Sequence, residues 1–168
     1  MSNKIIIIGF MGAGKSTIGA GLADELKLPF LDLDEIILES SAYASVNQAF
    51  ETDGEELFRS YENTALQNIL MEEAFVLATG GGVIESEENR KLISNKDSLV
   101  IYLDVSFEVV SIRLQNDDSR PLFKSLDSAY EIYCKRKELY SSVADTCIPV
   151  DDKTPAEVIR AVLEKLSQ

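Results

Sequence analysis

Four consecutive isoleucines, Ile5 to Ile8, run directly into Gly9-Phe10-Met11-Gly12-Ala13-Gly14-Lys15-Ser16, and this junction constrains the fold more than anything else in the chain. A short, continuous β-branched run suits a central strand of a parallel sheet, buried on both faces. GxxxxGK[ST] directly after such a strand requires a helix to follow, and Ile18, Leu22 and Leu26 at i, i+4 and i+8 provide its apolar face. The chemistry of the junction follows from its residue types. Glycines let the backbone fold around an anion, so that successive N–H groups and the helix N-terminus point at phosphate oxygens. Lys15 reaches the β- and γ-phosphates and Ser16 ligates Mg²⁺.

The same alternation of short apolar runs and helical periods continues along the chain. Strands are predicted at Lys4 to Ile8, Pro29 to Asp32, Phe75 to Ala78, Leu99 to Leu103 and Thr146 to Val150. Ser45-Val46-Asn47-Gln48 resembles a capping box, Asp53-Gly54 marks a stop, and Glu55 to Met71 reads as a long helix. Ser106 caps a helix to about Leu114, and Thr154-Pro155-Ala156-Glu157 opens the last one as a capping box with proline in its first turn. This is an α/β pattern, a five-stranded parallel sheet with helices on both faces, in a single domain over residues 1–168. Only the polar stretch from Gln115 to Lys124, which carries Arg120-Pro121, lacks periodicity, and it is expected to be a mobile lid.

Charge and composition exclude several functions. A formal net charge of −13, from 29 acidic and 16 basic residues, repels nucleic acid and anionic membranes, so neither is an expected partner. With no histidine in the chain, imidazole catalysis and histidine-metal sites are excluded. Cys134 and Cys147 lack zinc or redox spacing and are expected to be small buried or half-buried thiols. The apolar run after Lys4 is too short for a signal or membrane segment, so a cytoplasmic location is expected.

Further candidates lie at strand ends and on helices. The third strand ends in Thr79-Gly80-Gly81-Gly82 without an acid, so a metal-orienting carboxylate must come from elsewhere. Asp32-Leu33-Asp34 offers two, placed by their spacing on one side of extended chain. One can hold Mg²⁺ through water, and the other can orient a substrate hydroxyl or take its proton. The glycine triplet can bring backbone N–H groups against a ligand. Arg59 and Glu62 share one helix face, as do Arg136 and Tyr140, an arrangement equally consistent with surface ion pairing. Arg120 could swing onto a transferring phosphoryl group.

Taken in order, these residues resemble the shikimate kinases, small P-loop enzymes related in fold to nucleoside monophosphate kinases. The resemblance rests on Gly9 to Thr17 as G-x-M-G-x-G-K-S-T, Asp32-x-Asp34, Asp53-Gly54-Glu55 and Phe58-Arg59-x-x-Glu62. It continues through Thr79-Gly80-Gly81-Gly82, Arg113-Leu114, Arg120-Pro121-Leu122 and Arg136-x-x-x-Tyr140. It implies the three-layer P-loop NTPase fold with strand order 2-3-1-4-5, and transfer of the γ-phosphoryl of ATP to the 3-hydroxyl of shikimate on the way to chorismate. It further implies an acceptor-binding subdomain over about 33–62, a lid over about 115–124, and a monomer.

By the same resemblance Gly12, Ala13, Gly14, Lys15, Ser16 and Thr17 cradle ATP with Mg²⁺ at Ser16 and Asp32. Arg120 covers the phosphates, Arg113 lies beside the adenine, and Lys153 falls near a further adenine-side position. Asp34 would contact the ring hydroxyls, Arg59 and Arg136 would hold the carboxylate, and Gly81 with Gly82 would belong to the acceptor site. Lys15, Asp34 and Arg120 are the candidate catalytic residues. Tyr43 stands where the family commonly has a flexible glycine, and is expected to change how the acceptor subdomain pivots. Two rivals keep the motif: another small-molecule kinase, such as a gluconate kinase, and a nucleotide-dependent switch. Two arginines flanking a Thr-Gly-Gly-Gly strand end favour the cyclic acid.

Overall fold

The computed structural model describes residues 3–95, 97–115 and 126–167. The lid predicted over about 115–124 therefore lies, with Arg120, outside the described residues except for Gln115, which ends a helix. The strands are β1 (Lys4–Ile8), β2 (Phe30–Asp32), β3 (Phe75–Ala78), β4 (Leu99–Asp104) and β5 (Thr146–Pro149), all parallel, in the order 2-3-1-4-5. The helices are α1 (Lys15–Leu26), α2 (Leu33–Glu39), α3 (Val46–Ile69), α4 (Glu87–Ile93), α5 (Phe107–Gln115), α6 (Leu126–Val143) and α7 (Pro155–Leu166).

The isoleucine run forms the middle of the sheet. Since side chains alternate along a strand, burial of all four of Ile5 to Ile8 means that both faces are covered. Each fully buried apolar side chain of this size contributes about 1.5–3 kcal/mol, so β1 anchors the core on which α1, α6 and α7 converge. Register then brings the C-terminal strand ends together: Ile7 pairs with Ala78, Asp32 with Ala78 and Ile8 with Tyr102. In an open parallel sheet this edge is where ligands bind. The connections that follow Ile8, Asp32, Ala78 and Asp104 all leave from it.

Three expectations change. Asp32 and Asp34 do not share one side of extended chain, because the strand ends at Asp32 and a helix follows directly. Asp32 Oδ1 accepts from the backbone N–H groups of Asp34 (3.1 Å) and Glu35 (3.5 Å), so the acid that closes the strand also caps the helix. The stop at Asp53-Gly54 holds, since the non-helical Gly54 divides α3 in two, but the capping box at its start forms only in part. Ser45 caps that helix through Gln48 N–H, while Gln48 Oε1 accepts from Ala44 rather than from Ser45. Finally, Cys134 and Cys147 are both exposed, Cys134 on α6 and Cys147 on the edge strand β5.

Candidate active site

The loop between β1 and α1 is shaped by glycine. Gly14, the N-cap of α1, has φ 87°, a left-handed conformation that a side chain would strain, and it turns the following N–H groups outward at the helix start. Gly12 and Ala13 lie in this loop, and Lys15, Ser16 and Thr17 form the first turn of α1. Lys15 Nζ folds back to donate to Phe10 O at 2.9 Å, spanning the loop where phosphates would lie. Arg113 on α5 packs over it, its Cδ 3.2 Å from where a Cβ on Gly12 would stand. Lys153 follows β5 and donates to Pro149 O at 2.7 Å. Between them Asp151 accepts from Ser106 N–H at 3.0 Å. Burial pushes its carboxyl up, but the bonds from Ser106 and the charges of Arg113 and Lys153 prevail and hold it below its usual value. Both cations therefore flank one side of the phosphate loop.

Ser16 and Asp32 meet as the sequence suggests: Ser16 Oγ donates to Asp32 Oδ2 at 2.6 Å. A hydroxyl and a carboxylate beside a phosphate cradle are hard oxygen donors of the kind Mg²⁺ takes, and that ion fills its other positions with water and phosphate oxygens.

The second half of the site forms around the glycine triplet. Asp34, in the first turn of α2, puts Oδ1 2.7 Å from where a Cβ on Gly80 would stand, and Arg59 lies so close to Gly82 that a Cβ there would collide with its guanidinium. Only glycine admits both approaches. A Cβ on Gly81 would stand 3.3 Å from Met11 N of the phosphate loop and 3.7 Å from Arg136 Nη1, so this residue is where the two halves meet. Tyr140, one turn beyond Arg136, fixes the triplet by donating its hydroxyl to Gly81 O.

Neither arginine is a surface ion-pair residue. Arg136 is 3% exposed, with Nε on Glu85 Oε1 at 2.7 Å and its guanidinium 5.7 Å from the Phe10 ring centroid. Arg59 places Nη1 on Glu62 Oε2 at 2.8 Å and Nη2 on Glu55 Oε1 at 3.0 Å, with Phe50 and Phe58 against its flat face. Burial alone would weaken the charge of Arg59, but Glu62 and Glu55 outweigh it and strengthen that charge. Glu62 is fully buried, and its carboxyl is pushed up to about 7, first by burial and further by Asp34, while Arg59 and Arg136 pull it down. Arg59 Nε and Glu62 Oε1 are buried with no hydrogen-bond partner among the described residues, two polar atoms left to be satisfied within this pocket. Arg59 and Glu85 also line an adjoining cleft of about 800 Å³.

The structure thus gathers Asp34, Arg59, Gly81, Gly82 and Arg136 at one place, and the loop residues, Arg113 and Lys153 at the other. Sequence reasoning did not single out Glu85, which holds both Arg136 and Lys135, or Asn89, whose Nδ2 reaches Glu62 Oε2 at 3.4 Å. One acid among 29 carries no local mark, and 51 residues separate Glu85 from Arg136.

Comparison with known proteins points to one family. A family model described as shikimate kinase covers residues 11–167. A shikimate kinase from Sulfurihydrogenibium sp. (strain YO3AOP1) is 36% identical over 166 residues, spanning 98% of each chain. A solved shikimate kinase from Acinetobacter baumannii in complex with shikimate aligns with a TM-score of 0.90 and 32% identity, over 97% of this chain and 92% of that one. A gluconokinase from Sinorhizobium meliloti 1021 aligns at 15% identity with a TM-score of 0.59, over 99% of this chain and 92% of that one, a likeness of fold alone.

Proposed function

The chain belongs to the shikimate kinase family, and on that premise we propose that it transfers the γ-phosphoryl of ATP to the 3-hydroxyl of shikimate, giving ADP and shikimate 3-phosphate for chorismate and aromatic amino acid synthesis. The observation that carries this reading is the contact at Gly81, where a loop shaped for phosphate adjoins the buried guanidinium of Arg136, with the half-buried Arg59 against neighbouring Gly82.

A planar guanidinium grips a carboxylate through two parallel hydrogen bonds, and Arg59 and Arg136 converge from α3 and α6 to do so. With the carboxylate held there, Asp34 beside Gly80 orients a ring hydroxyl and stands ready to take its proton as the oxygen–phosphorus bond forms. Phosphoryl transfer depends mostly on alignment and charge neutralisation, which Lys15 and the loop N–H groups supply on this chain's side. Mg²⁺, held by Ser16 and Asp32, would neutralise further phosphate charge. Arg113 and Lys153 suit the base-side end of the nucleotide, and Arg120 the phosphates.

No described helix is long and apolar enough to cross a membrane. The reading is tested by coupled ADP release with shikimate, with gluconate and with no acceptor. Turnover dependent on shikimate is expected. Turnover with gluconate instead would transfer the assignment to that kinase class, and acceptor-independent hydrolysis would favour a nucleotide switch.

A further inference from the structure

We propose that Tyr43, Asp53 and Tyr61 form a carboxylate-centred brace that fixes the angle between the two halves of α3 and so positions Arg59 for the acceptor. The inference rests on the reading above for what Arg59 holds. Gly54, at φ 81° and ψ 169°, divides α3 into residues 46–53 and 55–69. Arg59 stands on the second half, paired there with Glu55 and Glu62, and the first half adds Phe50, whose ring lies 5.4 Å from the guanidinium and packs on Phe58 at 4.7 Å between ring centroids. The angle at Gly54 therefore sets how Phe50 meets the guanidinium.

Asp53 is the last residue before the break. Its Oδ2 accepts from Tyr43 Oη at 2.6 Å, on the connection entering α3, and from Tyr61 Oη at 2.7 Å, on the second half. One oxygen thus ties three segments of chain. A hollow of about 520 Å³ lies alongside Tyr43 and Tyr61, lined also by Ile36 and Ile69 among others, so on that side the two phenols are held by their bonds to Asp53 rather than by close packing. The two phenols hold the Asp53 carboxyl below its usual range, and the bond to Asp53 pushes the Tyr43 phenol up to about 12. Neither end of that bond ionises near neutral pH. Tyr43, Asp53 and Tyr61 are positioning residues, acting through Phe50 and Arg59.

The test is steady-state kinetics of Tyr43→Phe, Tyr61→Phe and the double variant, which keep the rings and remove the hydroxyls. Losing this preorganisation should raise the KM for shikimate about five- to tenfold in the double variant, with kcat and the KM for ATP within about twofold of the parent. Because both bonds end on one oxygen, the single effects should combine non-additively. Asp53→Asn, which keeps an accepting oxygen, should lie nearer the parent than Asp53→Ala. An unchanged shikimate KM in the double variant, or a matching rise in the KM for ATP, would overturn the proposal. Should the parent lack shikimate-dependent turnover, the functional reading falls and amide exchange over 46–53 decides about the brace. Faster exchange in the double variant supports it, and unchanged exchange overturns it.

Discussion

Glu62 is the residue whose protonation the site depends on most. Its carboxyl is buried beside two guanidiniums and Asp34, and the push to about 7 places it between charged and neutral under ordinary conditions. An incoming carboxylate on Arg59 adds negative charge and competes for the guanidinium, and both effects raise the Glu62 value further. Shikimate binding at pH 7–8 should therefore take up protons, seen as a binding enthalpy that varies with the ionisation enthalpy of the buffer, and Glu62→Gln should remove that variation. Proton release would contradict the assignment. The same shift bears on stability. The folded value lies above the unfolded one of 4.5, so the contribution of Glu62 is fully present below about 4.5 and is lost as pH rises through about 7. Arg59-x-x-Glu62 was legible as a shared helix face. That the face is buried was not, because depth depends on what packs over it.

At the scale of elements, local chemistry fixed one helix start and left another open. The Thr154 box forms as read: Thr154 Oγ1 accepts from Glu157 N–H, and Glu157 Oε2 accepts from Thr154 N–H at 2.8 Å. Thr154→Ala should cost about 1 kcal/mol, lowering Tm by about 2–4 °C in thermal unfolding. Shikimate kinetics should not change, since α7 packs on α1 away from the acceptor site. The Asp32-Leu33-Asp34 step went the other way. An acid, an apolar residue and an acid fit extended chain as well as a helix start, and only the two backbone bonds accepted by Asp32 decide for the helix. α3 shows both outcomes at once, since Asp53-Gly54 was legible as an interruption, yet its role as a fixed angle comes from Tyr43 and Tyr61.

Across the whole molecule, both halves of the site hang from one sheet whose buried residues form a single continuous core. ATP binding should therefore stabilise the acceptor half together with the phosphate loop. Nucleotide at a hundred times its Kd adds about 2.7 kcal/mol, which should raise Tm by about 5–10 °C as one transition in a calorimetric scan. Two separated transitions would mean that the halves unfold independently. The sequence by itself determined the strand–loop–helix junction, the parallel sheet, the cap of α7 and the residue types for phosphate and carboxylate, because these follow from spacing within a few residues. Tertiary structure alone decided that Gly81 joins the two sites, that Glu85 holds Arg136, that Glu62 is buried and that both cysteines are exposed. Those outcomes depend on which distant segments the sheet order brings together, and no local pattern along the chain encodes that order.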